Sequence, residues 1–387
     1  MNKSLFALLL LFGLTTQAQD KVQFIDNNWE KARAEAKKSN KYLFVDAYTD
    51  WCYWCKVMDK QTFPDKAVVD FMNANFVSLK LEMEHNYGVD VAMKYRVRSF
   101  PSFLVFSPDG KLVNKFSGYR PAPEFIEELK KSLNKKESPG YAGMSEKVEL
   151  PFPDFYKKNF GGKGKREFSD SATVNGFLAN QSDLYSEVNY SVMVIFSSLL
   201  NNKYFLNLVE NRAKYEQLYG KGEIEEVVAG QANGKLKSAI KNKSKEELGL
   251  VLDFVDKYLI ANKEETKEAF RFDYYKGVGD WTMYAKQADN HIATHATGLE
   301  RINGWAWTIY ESCGDLEIVQ RAIGWMKPRI DEKPDYASTD TYAALLYKGK
   351  QYADAKKYAQ KAIELGKAAG EKTEETEALL KKIEAAY

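Results

Sequence analysis

The chain has 387 residues, too many for one small domain and about right for two or three. Lys and Arg total 56 against 54 Asp and Glu, a formal net charge of +2, so charge makes no case for nucleic acid, and no basic stripe interleaved with aromatics is present. Three cysteines are too few for a disulfide framework, while 44% hydrophobic and 28% charged residues are ordinary for a soluble globular chain.

The N-terminus has the pattern of a secretory signal peptide, residues 1–18. Lys3 supplies a positive start, Leu5 to Leu14 an apolar run, and Thr16-Gln17-Ala18 small residues for cleavage after Ala18. The run is too short to span a bilayer comfortably, and no cysteine follows it to take a lipid. The expected product is exported and soluble, does not span a membrane after cleavage, and is periplasmic if the host has two membranes.

Residues 19–136 alternate helix and strand. Asn28 to Ser39 predicts a surface helix and Tyr42 to Tyr48 a buried strand; Cys52 to Lys60 is helical, and Pro64 marks its end or a kink. Asp65 to Asn73 is a further helix. Phe76 to Met83 alternates as a strand, Val89 to Tyr95 is a short helix, and Phe103 to Phe106 follows Pro101 as a strand. Pro108-Asp109-Gly110 turns the chain into a hairpin partner, Lys111 to Phe116, and Pro123 to Leu133 closes with a helix. The order predicts an α/β fold, a mixed central sheet with helices on both faces.

Residues 137–168, with charge runs, Pro151, Pro153 and Gly161-Gly162, read as a linker lying along the surface. From 169 to 387 the chain reads as all-α. Helices are expected at Tyr185–Leu200, Phe205–Leu218, Ile224–Ile240, Lys245–Ile260, Glu264–Tyr275, Trp281–Thr294, Gly304–Ser312, Leu316–Met326, Thr339–Tyr347, Tyr352–Leu365 and Glu374–Ala386. The small residues Ala355, Ala359 and Ala362 suit two closely packed antiparallel helices, and Thr339–Leu365 resembles a tetratricopeptide-type hairpin.

Chemistry concentrates in the stretch from Val45 to Lys56. Cys52 and Cys55 stand three positions apart where an apolar strand runs into a helix. Unpaired N–H groups at a helix start stabilise a thiolate, so Cys52 is expected to be the more exposed, attacking thiol and Cys55 the resolving one. Asp46 is an acid in an apolar strand six positions before Cys52. Buried beneath the dithiol it would have a raised pKa and would take the proton of Cys55. Lys80, on the next strand, is placed to temper that charge. Phe100-Pro101 at a strand entry is a candidate cis bond, which would leave backbone groups free to pair with an extended substrate.

These residues resemble the thioredoxin superfamily: Trp51-Cys52-x-x-Cys55-Lys56 after a strand, the acid six residues earlier, the proline before Ser102-Phe103-Leu104-Val105-Phe106, and a glycine after the hairpin. The resemblance covers roughly Gln19 to Lys136. Within the superfamily, Ala47-Tyr48-Thr49-Asp50-Trp51-Cys52 with Met58 and Thr62-Phe63 is similar to the C-terminal thiol-reducing domain of the DsbD disulfide-interchange proteins, and to exported thioredoxin-like proteins fused to helical domains. It implies a thioredoxin fold, no cofactor beyond a redox-active Cys52–Cys55 disulfide, and the roles given to Cys52, Cys55, Asp46 and Pro101. Trp51, Tyr53, Trp54, Phe100 and Pro101 are the expected substrate contacts, with Lys80 and Lys56 supporting. The chain departs from the familiar patterns at Tyr53-Trp54, which leaves the direction of electron flow open, and at the bulky Phe100.

The expected function is an exported thiol–disulfide oxidoreductase that reduces disulfides of exported proteins. The helical domain is its docking surface for clients or for a membrane thiol electron donor. Two other readings stay open: a disulfide oxidase or isomerase, and a helical adaptor or chaperone whose thioredoxin-like domain only binds. A zinc half-site would need a second pair of ligands that the sequence lacks. His291 and His295, one helical turn apart, read as a packed or solvated face, and Cys313 as a packed thiol at a helix end.

Overall fold

A computed structural model describes residues 21–134 and 141–386. The expected signal segment, 1–18, lies outside the described residues. The chain divides into two compact units between Val227 and Val228.

The first unit is built on a five-stranded sheet of order β1-β3-β2-β4-β5: β1 (Phe24–Asp26), β2 (Tyr42–Tyr48), β3 (Phe76–Glu82), β4 (Ser102–Phe106) and β5 (Leu112–Ser117). The first three run parallel, and β4 is antiparallel to both β2 and β5. The continuous apolar run of β2 suits an interior strand, since helices cover both faces of the sheet. β1 is the strand the sequence reading misses: three residues at a sheet edge are too few to display alternation.

Five helices accompany the sheet: α1 (Trp29–Ser39), α2 (Tyr53–Val57), α3 (Lys66–Asn75), α4 (Tyr87–Tyr95) and α5 (Ala122–Leu133). Asn28 caps α1 by accepting the Lys31 N–H, and Asp65 caps α3 by accepting those of Ala67 and Val68. On one sheet face Phe44, Phe63, Phe103 and Phe125 are buried together. Phe125 meets Phe44 at 5.8 Å, Phe63 at 5.7 Å and Phe103 at 5.4 Å, mostly edge to face. Burying each such ring stabilises the fold by about 1.5–3 kcal/mol.

The helix expected over Cys52–Lys60 is in fact two geometries. α2 ends at Val57, and Met58–Thr62 forms a wider π-helical turn in which the Phe63 N–H reaches the Met58 carbonyl. Side chains hold that turn open. The Thr62 hydroxyl donates to the Arg120 carbonyl at 2.7 Å, and Asp59 is bonded to Lys80.

The stretch expected to be a surface linker, 137–168, is anchored by a few buried side chains over its described part. Val148, Phe152, Tyr156 and Phe160 are buried, and α6 (Asp154–Asn159) lies among them. The Tyr156 hydroxyl donates to the Met93 carbonyl at 2.9 Å, and its ring stacks on Phe152. The prolines mask a helical spacing in which aromatics recur every fourth residue. Helices α7 (Ser171–Ala179), α8 (Glu187–Ile195), α9 (Asn202–Glu210) and α10 (Arg212–Tyr219) complete the unit; the expected Phe205–Leu218 helix is broken at Asn211. α11 (Glu223–Asn242) contains the division.

Among its described residues the second unit contains helices and no strands, from α12 (Lys245–Tyr258) to α19 (Glu374–Ala386). α16 (Leu316–Glu332) runs past its expected end at Met326 with Pro328 inside it. α17 (Tyr336–Lys348) and α18 (Tyr352–Ala369) pack through Ala343, Ala344, Ala355, Ala359 and Ala362, all buried, with Tyr342 edge-on to Tyr358. Among the described residues no helix is long and apolar enough to cross a membrane.

Candidate active site

β2 delivers the chain through Thr49-Asp50-Trp51 to Cys52, whose N–H bonds the Thr49 carbonyl at 3.0 Å. Cys52 is the N-cap of α2 and its sulfur accepts the Cys55 N–H at 3.0 Å. The two cysteines form a disulfide with Cα atoms 5.3 Å apart. Cys52 is not the more exposed of the pair: both are 4% exposed in the bonded state. What separates them is backbone position, Cys52 being extended before the helix and Cys55 lying within its first turn. Unpaired N–H groups of that turn favour negative charge on sulfur 52 after reduction.

Aromatic rings stand around this buried disulfide. Trp51 is 46% exposed, Tyr53 70% and Trp54 51%. Trp54 packs against Tyr119, and Trp51 meets Phe100 edge-on at 5.9 Å. The Trp51 indole N–H donates to Glu84 Oε2 at 2.9 Å, and Lys163 Nζ lies 5.2 Å from the Trp51 ring centroid. Phe100-Pro101 is a cis peptide bond, and the buried Pro101 gives its carbonyl to the Gly118 N–H at 2.9 Å. Lys56 points outward and has no side-chain partner among the described residues.

Asp46 is 1% exposed. It stands in register with Lys80 on β3 and with Phe103 on β4. Burial lifts its pKa to about 6; Lys80, 3.3 Å from Oδ2, restrains the rise and Asp59 adds to it. Its other oxygen, Oδ1, has no hydrogen-bond partner among the described residues. Burial opposes the charge on Lys80, but Asp46 and Asp59 together outweigh it and hold the ammonium above its ordinary pKa.

The sequence-predicted cysteines, Asp46, Lys80 and the Phe100-Pro101 loop occupy this one region of the first unit; Lys56, next to Cys55, is exposed. Asp59, Glu84, Tyr119 and Lys163 were not foreseen. Asp59 had a local signal, since it follows the helix start by two turns. Glu84 and Lys163 meet Trp51 only through tertiary folding. Elsewhere, in the second unit, His291 Nδ1 is bonded to the Glu268 carboxylate at 2.5 Å and its ring stacks on His295. Cys313 is fully buried there, and burial raises its thiol pKa.

Residues 29–133 match the family described as thioredoxin-like domain, so this part of the chain is a thioredoxin-like domain with a Cys-x-x-Cys disulfide, followed by a helical region. The thiol:disulfide interchange protein DsbD of Pseudoalteromonas atlantica is 30% identical over 127 residues, covering 31% of this chain and 21% of that protein. A protein disulfide-isomerase of Medicago sativa is 27% identical over 135 residues, 33% of this chain and 26% of that protein. The chain thus spans only about a fifth to a quarter of the length of these curated relatives. Among solved structures, the oxidised C-terminal domain of Neisseria meningitidis DsbD is 20% identical, with TM-score 0.25, over 28% of this chain and 98% of that one. A thioredoxin from Thermus thermophilus is 24% identical, with TM-score 0.28, over 30% and 89%.

Proposed function

We propose that the protein is an exported thiol–disulfide oxidoreductase that reduces disulfides of other exported proteins. The observation that carries this reading is the Cys52–Cys55 disulfide at the first turn of a helix, with the Cys55 N–H on the Cys52 sulfur. In the reduced protein Cys52 attacks a client disulfide as a thiolate. One client sulfur leaves and takes a proton, and a mixed disulfide joins the client to Cys52. Cys55 then gives its proton to the Asp46 carboxylate and attacks the Cys52 sulfur. The second client thiol is released and Cys52–Cys55 is oxidised. The two client sulfurs gain the two electrons that Cys52 and Cys55 lose; the first takes its proton from water and the second takes the one held by Asp46, which returns to the carboxylate. An external thiol donor, at the membrane in this reading, must reduce the pair again.

Trp51, Tyr53, Trp54, Phe100 and Pro101 form the surface against which the client segment lies. Lys80 restrains the rise in the Asp46 pKa, so the carboxylate is mostly ionised near neutral pH and free to take a proton. The helical second unit is assigned the docking of clients or of the donor. Relatives named thiol:disulfide interchange protein support the exchange chemistry, and the N-terminal signal pattern supports an extracytoplasmic site of action. Equilibrium titration of the pair against glutathione tests the direction. A midpoint nearer thioredoxin's about −270 mV than the about −120 mV of a strong oxidant is expected; a value near the latter makes the protein an oxidase.

A further inference from the structure

The exchange chemistry leaves unused a set of cations next to the Phe100-Pro101 loop. A cavity of about 480 Å³ in the first unit is lined by Arg96, Arg98, Lys115 and Arg120 and by two acids, Glu223 and Glu226. Glu223 is already engaged, 2.9 Å from Arg96 and 2.5 Å from Lys115. Glu226 is exposed at the rim. Arg98 and Arg120 have no carboxylate partner among the described residues. The groups that act electrostatically on Arg98 are another cation, Arg166, and Tyr156. Arg120 Nε is buried without an acceptor.

The two arginines flank the loop in sequence and in space. Arg98 and Ser99 precede Phe100-Pro101, and Arg120 follows Gly118, whose N–H is bonded to Pro101. Arg120 is held in place, its carbonyl accepting from Thr62 and its guanidinium lying 5.7 Å from the Phe116 centroid. Ser99 and Ser117 add hydroxyls to the same lining. A donor set of two unpaired guanidiniums and hydroxyls matches a carboxylate. The cavity is wide enough for one acidic side chain, and its place beside the loop puts it next to a bound client strand. We propose that this cavity is a subsite for a client carboxylate, so that preferred clients carry an Asp or Glu close to the reactive cysteine. The proposal rests on the reading of Cys52–Cys55 as an exchange pair for its biological sense, though not for its test.

The test is binding to the oxidised full chain, read by fluorescence anisotropy. Two labelled peptides are compared, both with serine for cysteine, one carrying Asp and Glu beside that serine and the other Asn and Gln. The acidic peptide is expected to bind about tenfold more tightly, with the advantage shrinking as salt is raised. The preference should collapse in Arg98→Gln/Arg120→Gln and survive in Lys111→Gln, an exposed lysine at the far end of the β4–β5 hairpin. If the double variant misfolds by circular dichroism, Arg98→Gln alone, at an exposed loop position, should cut the preference about threefold. Equal binding of the two peptides, or a preference that survives loss of the arginines, overturns the proposal. Because these peptides cannot exchange disulfides, a failed redox titration would sink the oxidoreductase reading without touching this result.

Discussion

Lys80 Nζ lies 3.3 Å from Asp46 Oδ2, the two residues facing each other in register across the parallel β2–β3 pair. The same ammonium also bonds Asp59 on the π turn. One cation therefore serves two carboxylates, and Asp46, the buried one, is left with an oxygen that nothing in the described protein satisfies.

Asp46 holds its proton more tightly folded than unfolded, with a pKa of about 6 against 3.8. Its favourable contribution is complete below the unfolded value and is lost as pH rises through the folded one. Asp46→Asn, with no charge to bury, is expected to be more stable than the parent above about pH 6, by about 2–3 kcal/mol. That advantage should fade between about pH 6 and pH 4. Urea midpoints at about pH 7.5 and pH 4.5 measure both arms, and a variant no more stable at the higher pH contradicts the burial argument.

The same substitution should slow chemistry. With the carboxylate gone, resolution of a mixed disulfide by Cys55 is expected to fall at least about tenfold near neutral pH. Stopped-flow release of a client thiol from the Cys52 adduct reads the step directly.

Lys80→Gln removes the charge that restrains Asp46. The carboxyl should then titrate above its present value. The infrared band of the protonated carboxyl, assigned by its absence in Asp46→Asn, reports the midpoint. An unchanged midpoint would mean that Lys80 is not what holds Asp46 down.

Glu223 is buried, which disfavours its charge, yet Arg96 and Lys115 outweigh burial and hold its pKa down to about 2. Its contribution is present above the unfolded value of 4.5 and is lost as pH falls through about 2. Glu223→Gln leaves the Arg96 guanidinium buried without its anion and should cost about 3–5 kcal/mol at neutral pH. Denaturant unfolding of the full chain measures it; a loss under about 1 kcal/mol would show that water replaces the pair.

Alkylation of the reduced protein at neutral pH should modify Cys52 first, Cys55 at least about tenfold more slowly, and Cys313 only after unfolding. Mass spectrometry after timed quenching gives the order. Equal rates for Cys52 and Cys55 would remove the basis for assigning them different roles.

The centre of this site is readable from the chain because its signals are local or periodic. Two thiols three apart announce themselves, an acid inside Leu43-Phe44-Val45 stands out, and the alternation of β3 brings Lys80 to the matching face. What surrounds the centre is not readable. Glu84 and Lys163 reach Trp51 from distant segments, and no periodicity marks a side chain that turns toward a ring it meets only after folding. Tyr156 was hidden for a different reason: prolines and glycines on either side outweighed its spacing from Phe152 and Phe160. The π turn escaped because it closes its helix, leaving no later turn whose hydrophobic positions it would rotate.

Lys94 and Arg96, at the end of α4, belong to the thioredoxin-like domain, yet their anions do not. Lys94 is fully buried, pairs with Glu187, and donates to the Ser145 carbonyl at 2.8 Å; Arg96 waits for Glu223. In a nascent chain that has emerged only as far as Leu133, the groups that cover and neutralise these two cations, Ser145, Glu187, Ser191 and Glu223, are still missing. The family boundary is therefore not an electrostatic boundary: a cut there would return both cations to water and leave Glu187 and Glu223 without their partners.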